Sequence, residues 1–341
     1  MNEGSVSTEL EGRQLWRSAG LEELLDSTYP GCMASLSDRF LGSFLGLAVG
    51  DALGAPLEFR KRDQLAPVRD MIGGGKFQLE PGQYTDDTSM ALCLAASLIE
   101  NQAHDPLDQL ERYDRWLMDG YMSCSGRSIG AGQNTLKAIR SWKASGSPLA
   151  PMSDHAAGNG SLMRLAPVVI HFFTPENPLI ATEHAVLSSI TTHNHPIAID
   201  ACRLLAFKLH KAFSGAAKDS VLAHDFPDEL HPEIDSLGRG GYKAKLRHEV
   251  SSSGYARDTL EAALWAFHAT ESFEEGMILA VNLAGDADTV GAVFGQIAGA
   301  HYGVKSIPKR WIDTLHKKDL ILHTCSQLGK RDLVGRLDHS H

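Results

Sequence analysis

The sequence predicts an all-α fold, on three observations. Apolar runs recur with helical periodicity, few segments alternate like strands, and glycines stand four residues apart in the first and last long runs. The runs cover residues 40–48, 89–99, 107–118, 197–213, 259–269, 275–283 and 289–302. Several are apolar nearly all round, which in a soluble chain marks a central helix covered by its neighbours. Gly42, Gly46, Gly50 and Gly54 fall roughly on one helix face, as do Gly291, Gly295 and Gly299. An interior glycine costs a helix about 1 kcal/mol relative to alanine, so such stripes point to close approach of another backbone. The first and last core helices are expected to pack tightly, each being a candidate partner for the other.

A chain of 341 residues with 43% hydrophobic content can fill a sizeable core, as one large domain or two small ones. Its best apolar stretch, 40–49, stops at Asp51, short of the roughly 18–20 residues of a membrane span. The first residues are polar and acidic, unlike a secretory signal. Five widely spaced cysteines without a CxxC pair indicate neither a disulfide framework nor a zinc cluster. These features together place the protein in the cytoplasm, with no membrane partner. The net charge of −10 argues against phosphate-driven binding of nucleic acid, so a polyanionic ligand must be captured locally. Residues 1–35 form a polar extension with a short helix-like run at 21–27, and 36–341 form the main domain. The polar stretch 214–253 interrupts the helices and is expected to be a long surface excursion, either a binding arm or a plain insertion.

Two acidic clusters stand where a polar loop meets a strongly apolar helix. YTDDTSMALCLAASL (84–98) carries Thr85, Asp86, Asp87 and Thr88; AGDADTVGAVFG (284–295) carries Asp286, Asp288 and Thr289. One acid or threonine at such a place is an ordinary N-cap. Two carboxylates per cluster exceed what capping needs, and clustered carboxylates repel unless a cation neutralises them. Oxygen donors without cysteine or a spaced histidine pair favour a hard cation such as Mg²⁺ or Mn²⁺. In GNGSLMR (158–164), Gly158 and Gly160 would let backbone amides approach a phosphate while Asn159 and Ser161 donate side-chain hydrogen bonds; a plain glycine-rich turn is the alternative.

Four motifs in this order, GLAVGDALGAPLEF (46–59), YTDDTSM (84–90), GNGSLMR (158–164) and GDADT (285–289), resemble the ADP-ribosylglycohydrolases. That family includes the dinitrogenase reductase activating glycohydrolases and the animal ADP-ribosylhydrolases. TTHNHP (191–196) and SGYARDTLEAALWAF (253–267) add weaker likeness, so the resemblance spans roughly 38–305. It implies a compact orthogonal helical bundle with a two-metal cleft holding two Mg²⁺ or Mn²⁺ ions. By motif position, Thr85, Asp86 and Asp87 would serve one metal and Asp286, Asp288 and Thr289 the other, with Asp288 bridging. Glu58 matches an acid near the metals and the scissile bond. His193 matches a residue near the ADP-ribose diphosphate, Tyr255 an aromatic that packs on adenine, and His195 is expected to be structural.

The implied reaction is hydrolysis of the bond between ADP-ribose and a modified protein side chain, with arginine the expected acceptor. A water would attack ribose C1, and Asp86, Asp87, Asp286 or Glu58 would handle the proton. Two alternatives stand beside it. One is hydrolysis of serine- or small-molecule-linked ADP-ribose; the other is an immunity or antitoxin protein whose extension 1–35 binds an ADP-ribosyltransferase toxin. The sequence also departs from the family. GRSIGAGQNTL (126–136) carries Arg127 and Ser128 where many arginine-directed relatives have a loop acid, which leaves Asp119 or Asp154 as candidate substitutes.

Overall fold

The structure is a computed structural model that describes residues 34–153 and 157–329. Nearly all of the expected extension 1–35 lies outside the described residues, as does Asp154. In chain order the helices are α1 (Leu36–Gly54), α2 (Asp86–Asn101), α3 (Pro106–Asp119), α4 (Gln133–Ser145), α5 (Ala166–His171), α6 (Pro178–Ile190) and α7 (Pro196–Phe213). They continue with α8 (Lys218–Val221), α9 (Pro232–Gly238), α10 (Ala256–Ala269), α11 (Phe273–Val281), α12 (Ala287–Tyr302), α13 (Lys309–Thr314) and α14 (Lys318–Leu328). Among the described residues there is no strand, and β-pairing is limited to three isolated bridges. The all-α expectation holds.

The seven periodic runs became α1, α2, α3, α7, α10, α11 and α12, each lengthened at one or both ends except for α11, which starts and stops two residues earlier. Seven further helices, α4, α5, α6, α8, α9, α13 and α14, had no such run to announce them. For α6 the local signal was present all the same: Asn177 caps it, accepting from the Leu179 amide, and Pro178 opens it. The polar stretch 214–253 is only partly a surface excursion. It carries α8, α9 and a 3₁₀ turn, and buries Val221, Leu222, Ile234, Leu237, Tyr242 and Val250. Its apolar residues are too scattered among glycine, proline and charge to show a period, yet they cover α7 and α10.

At the centre of the fold α1 and α12 run antiparallel with their backbones in direct contact. Cβ atoms placed on Gly42, Gly46 and Gly50 would overlap the carbonyl oxygens of Gly299, Gly295 and Gly291, and one on Gly54 would overlap Ala287. The two glycine stripes thus face each other, and the end of α1 lies beside the start of α12. Residues 38–54 are all buried, and α10, α11 and α14 wrap the pair. By length and composition α1 with its following turn, residues 36–57, could cross a membrane, but residues 38–57 are buried within the protein. The helix continues through Asp51, where the apolar run had been expected to stop, because Asp51 finds hydrogen-bond partners inside the core.

Gly295→Ala should therefore destabilise the protein by about 3 kcal/mol or more, since two backbones must separate to admit a methyl group. Gly132→Ala, where a Cβ meets open space, should change stability by less than about 1 kcal/mol. Urea denaturation of both variants measures the contrast.

Candidate active site

Asp51 is the pivot of the site. Its carboxylate is inaccessible to solvent and accepts four hydrogen bonds: Oδ1 from the Thr85 amide (2.9 Å) and hydroxyl (2.8 Å), and Oδ2 from the Thr88 amide (3.0 Å) and hydroxyl (2.7 Å). The start of α2 is thereby fastened to the end of α1. Burial pushes the Asp51 carboxyl up, while the bonds from Thr88 and Thr85 oppose that shift. Sequence reasoning missed this residue as part of the site. Its one signal was an acid between Gly50 and Gly54 in an otherwise apolar helix.

Because α12 lies against α1, its first turn brings the second acidic cluster to the same place. Carboxylate oxygens of Asp51, Asp87 and Asp288 lie within 4.8 Å of one another, as do those of Glu58, Asp286 and Asp288. Asp288 belongs to both groups. Glu58 reaches the floor because residues 58–60 pair with Gly285: the Phe59 amide donates to Gly285 O (2.7 Å), and the Gly285 amide donates to Arg60 O (3.0 Å).

These acids are not doing the work of caps. Thr85 and Asp286 occupy the N-cap positions of α2 and α12 without making a side-chain capping bond. Elsewhere Asp105, Asn177, His195 and Ser272 cap α3, α6, α7 and α11 in the ordinary way, which gives His195 its structural role. Glu58 Oε2 and Asp87 Oδ1 are buried with no hydrogen-bond partner. Burial, then the charge of Asp286, pushes Glu58 up to about 7. Burial and neighbouring carboxylates hold Asp86, Asp87 and Asp288 well above the usual range. Buried, mutually repelling acids with orphaned oxygens are what a hard cation would satisfy. The cluster can hold metal.

The remaining sequence-predicted residues divide. Thr85 is fully buried, with its hydroxyl turned to Asp51. Asp86 lines the cleft but belongs to neither compact carboxylate group. Gly130 lies against it: a Cβ there would strike the Asp86 carboxylate, and φ is +89°. Thr289 lines the cleft, and its amide donates to Asp288 Oδ1 (3.0 Å).

The cleft above these acids has a volume of about 1000 Å³, and Gly158, Gly160, His193 and Tyr255 are among the residues that line it. Backbone bonds from Asn159 N to Gly254 O (3.1 Å) and Ala256 N to Ala157 O (2.9 Å) stitch the glycine segment to Tyr255. Two expected side-chain donors are committed elsewhere. Asn159 Nδ2 donates to Asp286 Oδ2 (2.6 Å) and Thr259 Oγ1 (2.8 Å), so it orients a floor acid. The buried Ser161 hydroxyl accepts from Ser189 (2.8 Å) and Cys202 (3.4 Å) and faces the core. What GNGS presents to the cleft is chiefly backbone.

His193 is set by a relay. The buried Arg164 guanidinium donates to Gly160 O (2.6 Å) and Thr192 Oγ1 (2.7 Å), and Thr192 Oγ1 shares a hydrogen bond with His193 Nδ1 at 2.8 Å. Burial, with the Arg164 charge second, depresses His193 to about 3. The ring is neutral, with Nε2 beside Gly158 and Gly160. Of the candidate substitutes for the missing loop acid, Asp119 is exposed and does not line the cleft.

The sequence profile of the ADP-ribosylglycohydrolases matches residues 33–337. This chain belongs to the ADP-ribosylglycohydrolase family. It is 43% identical to ADP-ribosylarginine hydrolase Tri1 of Pseudomonas putida, over 81% of this chain and 74% of that protein. It is 40% identical to the Serratia proteamaculans protein of the same name, over 88% and 82%. ADP-ribosyl-[dinitrogen reductase] glycohydrolase of Rhodospirillum rubrum is 37% identical, over 83% and 92%. A solved structure titled ADP-ribosylglycohydrolase-related protein complex superposes with a TM-score of 0.77 at 44% identity, over 87% of this chain and 98% of that one. The fold and the glycohydrolase class are those the motifs led us to expect.

Two measurements probe the floor. Asp51→Asn sets an amide nitrogen against two donors from threonine; each unmet donor costs about 1–3 kcal/mol, so the variant should lose that much stability and most of its Mn²⁺ affinity by calorimetry. In chelator-treated protein the folded state keeps a proton on Glu58 up to about pH 7, whereas the unfolded chain releases it near the ordinary 4.5. The folded state binds more protons across that window, so the stability of the wild type relative to Glu58→Gln should fall as pH rises from 4.5 to 7. Paired chemical melts across this range give the slope.

Proposed function

We propose that this ADP-ribosylglycohydrolase removes ADP-ribose from modified arginine side chains of proteins, with two Mg²⁺ or Mn²⁺ ions as cofactors. The observation that carries the reading is the pair of carboxylate groups sharing Asp288 at the floor of a cleft large enough for ADP-ribose. Relatives at 40–43% identity are named for the arginine reaction, which favours arginine although GRSIGAGQNTL lacks the loop acid. Asp51, Asp87 and Asp288 would hold one ion, and Glu58, Asp286 and Asp288 the other, with Asp86, Thr85 and Thr289 at their margins. When bound, such ions orient vicinal ribose hydroxyls and lower the pKa of a coordinated water.

The chain's own groups supply the rest. Gly158 and Gly160 present backbone to the diphosphate, with the neutral His193 ring beside them, and Tyr255 offers its ring to the adenine. Asn159 keeps Asp286 aimed at the floor. Positive charge grows on the ribose as the C1–N bond lengthens, and the surrounding carboxylates stabilise it. We assign proton transfer to Glu58 Oε2, which is buried and without a partner. It takes a proton from water as the C1–O bond forms and returns it to the departing guanidine nitrogen.

Incubating the full chain with arginine- and serine-ADP-ribosylated peptides, with Mg²⁺, with Mn²⁺ and with chelator, tests this. The expected result is metal-dependent loss of the arginine mark, with Asp288→Asn losing both metal binding and at least about a thousandfold in kcat/KM. Removal of the serine mark with the arginine mark intact would overturn the acceptor, and full turnover in chelator would overturn the metals.

A further inference from the structure

We propose that Phe59 is a specificity-determining residue: its ring is the platform on which the cationic acceptor group of the substrate rests. The inference builds on the arginine reading above and says which residue recognises that acceptor.

Three observations meet at this residue. Phe59 is a large aromatic with 61% of its surface exposed, and it lines the cleft immediately after Glu58. Its backbone sits at φ 61°, in the left-handed region that a bulky residue rarely adopts. The paired bonds between 59–60 and Gly285 hold it there, next to Asp286. Strained backbone at a cleft wall that gains no core packing points to a task outside folding. The third observation is that a cation already occupies the ring face. Lys76 Nζ lies 3.9 Å from the Phe59 centroid and 5.8 Å from that of Phe77, and its charge also acts on the Glu58 carboxylate.

The surroundings fit an acceptor better than they fit ADP-ribose. Phe77 packs against the cluster of Ala55, Leu79 and Ile129, next to the Gly130 loop over Asp86. An aromatic face beside a carboxylate suits a planar, weakly hydrated guanidinium better than a compact, strongly hydrated ammonium. The arginine side chain of the substrate would displace Lys76 from the ring and lie between Phe59 and Glu58. A neutral acceptor such as serine gains nothing from that face. This offers a way for the chain to read arginine without the loop acid.

The test compares wild type, Phe59→Leu, Phe59→Tyr and Lys76→Ala, each as the full chain with Mn²⁺. KM and kcat are measured on an arginine-ADP-ribosylated peptide, and Kd for free ADP-ribose, which lacks the acceptor. Phe59→Leu should raise KM about threefold to tenfold, the span of a cation–π contact, with kcat and ADP-ribose affinity within about twofold of wild type. Phe59→Tyr should restore KM, and Lys76→Ala should lower it by removing the competing cation. An unchanged KM in Phe59→Leu would overturn the inference, as would equal weakening of ADP-ribose or a rise in KM for Lys76→Ala. Wild type that leaves the arginyl peptide intact would remove the arginine reading and this inference with it; wild type that cleaves it beside an unaltered Phe59→Leu would remove this inference alone.

Discussion

Backbone contact between two antiparallel helices is the constraint from which the rest of this protein follows. Glycine on both sides lets α1 and α12 approach to a separation that no side chain would allow. The contact fixes the register as well as the distance: with Gly50 against Gly291 and Gly54 against Ala287, Asp51 and Asp288 must lie at the same level. The helical cost of these glycines is offset by what they bring together.

The floor of the cleft is built in layers of commitment. Asp51 accepts from both Thr85 and Thr88 and acts as a fastener that carries α2 and its acids to the centre. Asp288 stands at the junction of the two carboxylate groups, and Glu58 and Asp87 each keep a buried oxygen without a partner. An array of this kind is poorly matched to itself, since burial and mutual repulsion disfavour every charge in it. It is well matched to divalent cations.

Much of this was legible in the residues. Periodicity located seven core helices, the glycine stripes announced their partner, and the doubling of acids at two helix starts exceeded any capping need. What escaped had physical reasons. The buried stripes of α4 (Thr135, Ala138, Ile139) and α6 (Ala181, Thr182, Ala185, Ser188, Ser189) consist largely of small and hydroxyl side chains, and 214–253 buries isolated side chains within polar surroundings. The part played by Asp51 depends on an interhelical contact that no local pattern expresses. Ser161 and Asn159 looked like phosphate donors because their residue types are suited to it, but the fold spends those groups on Ser189, Cys202, Thr259 and Asp286. Residue type told which chemistry was available; only packing told which groups were still free to do it.

Acids from α1, α2, α12 and the turn after α1 converge around Asp288 in an arrangement that could hold cations. Crystals grown with Mn²⁺ and measured at the manganese absorption edge test it directly. Anomalous peaks are expected within coordination distance of Asp288, one toward Asp87 and one toward Glu58 and Asp286. Manganese density confined to other parts of the molecule, with these side chains still gathered and nothing between them, would contradict it.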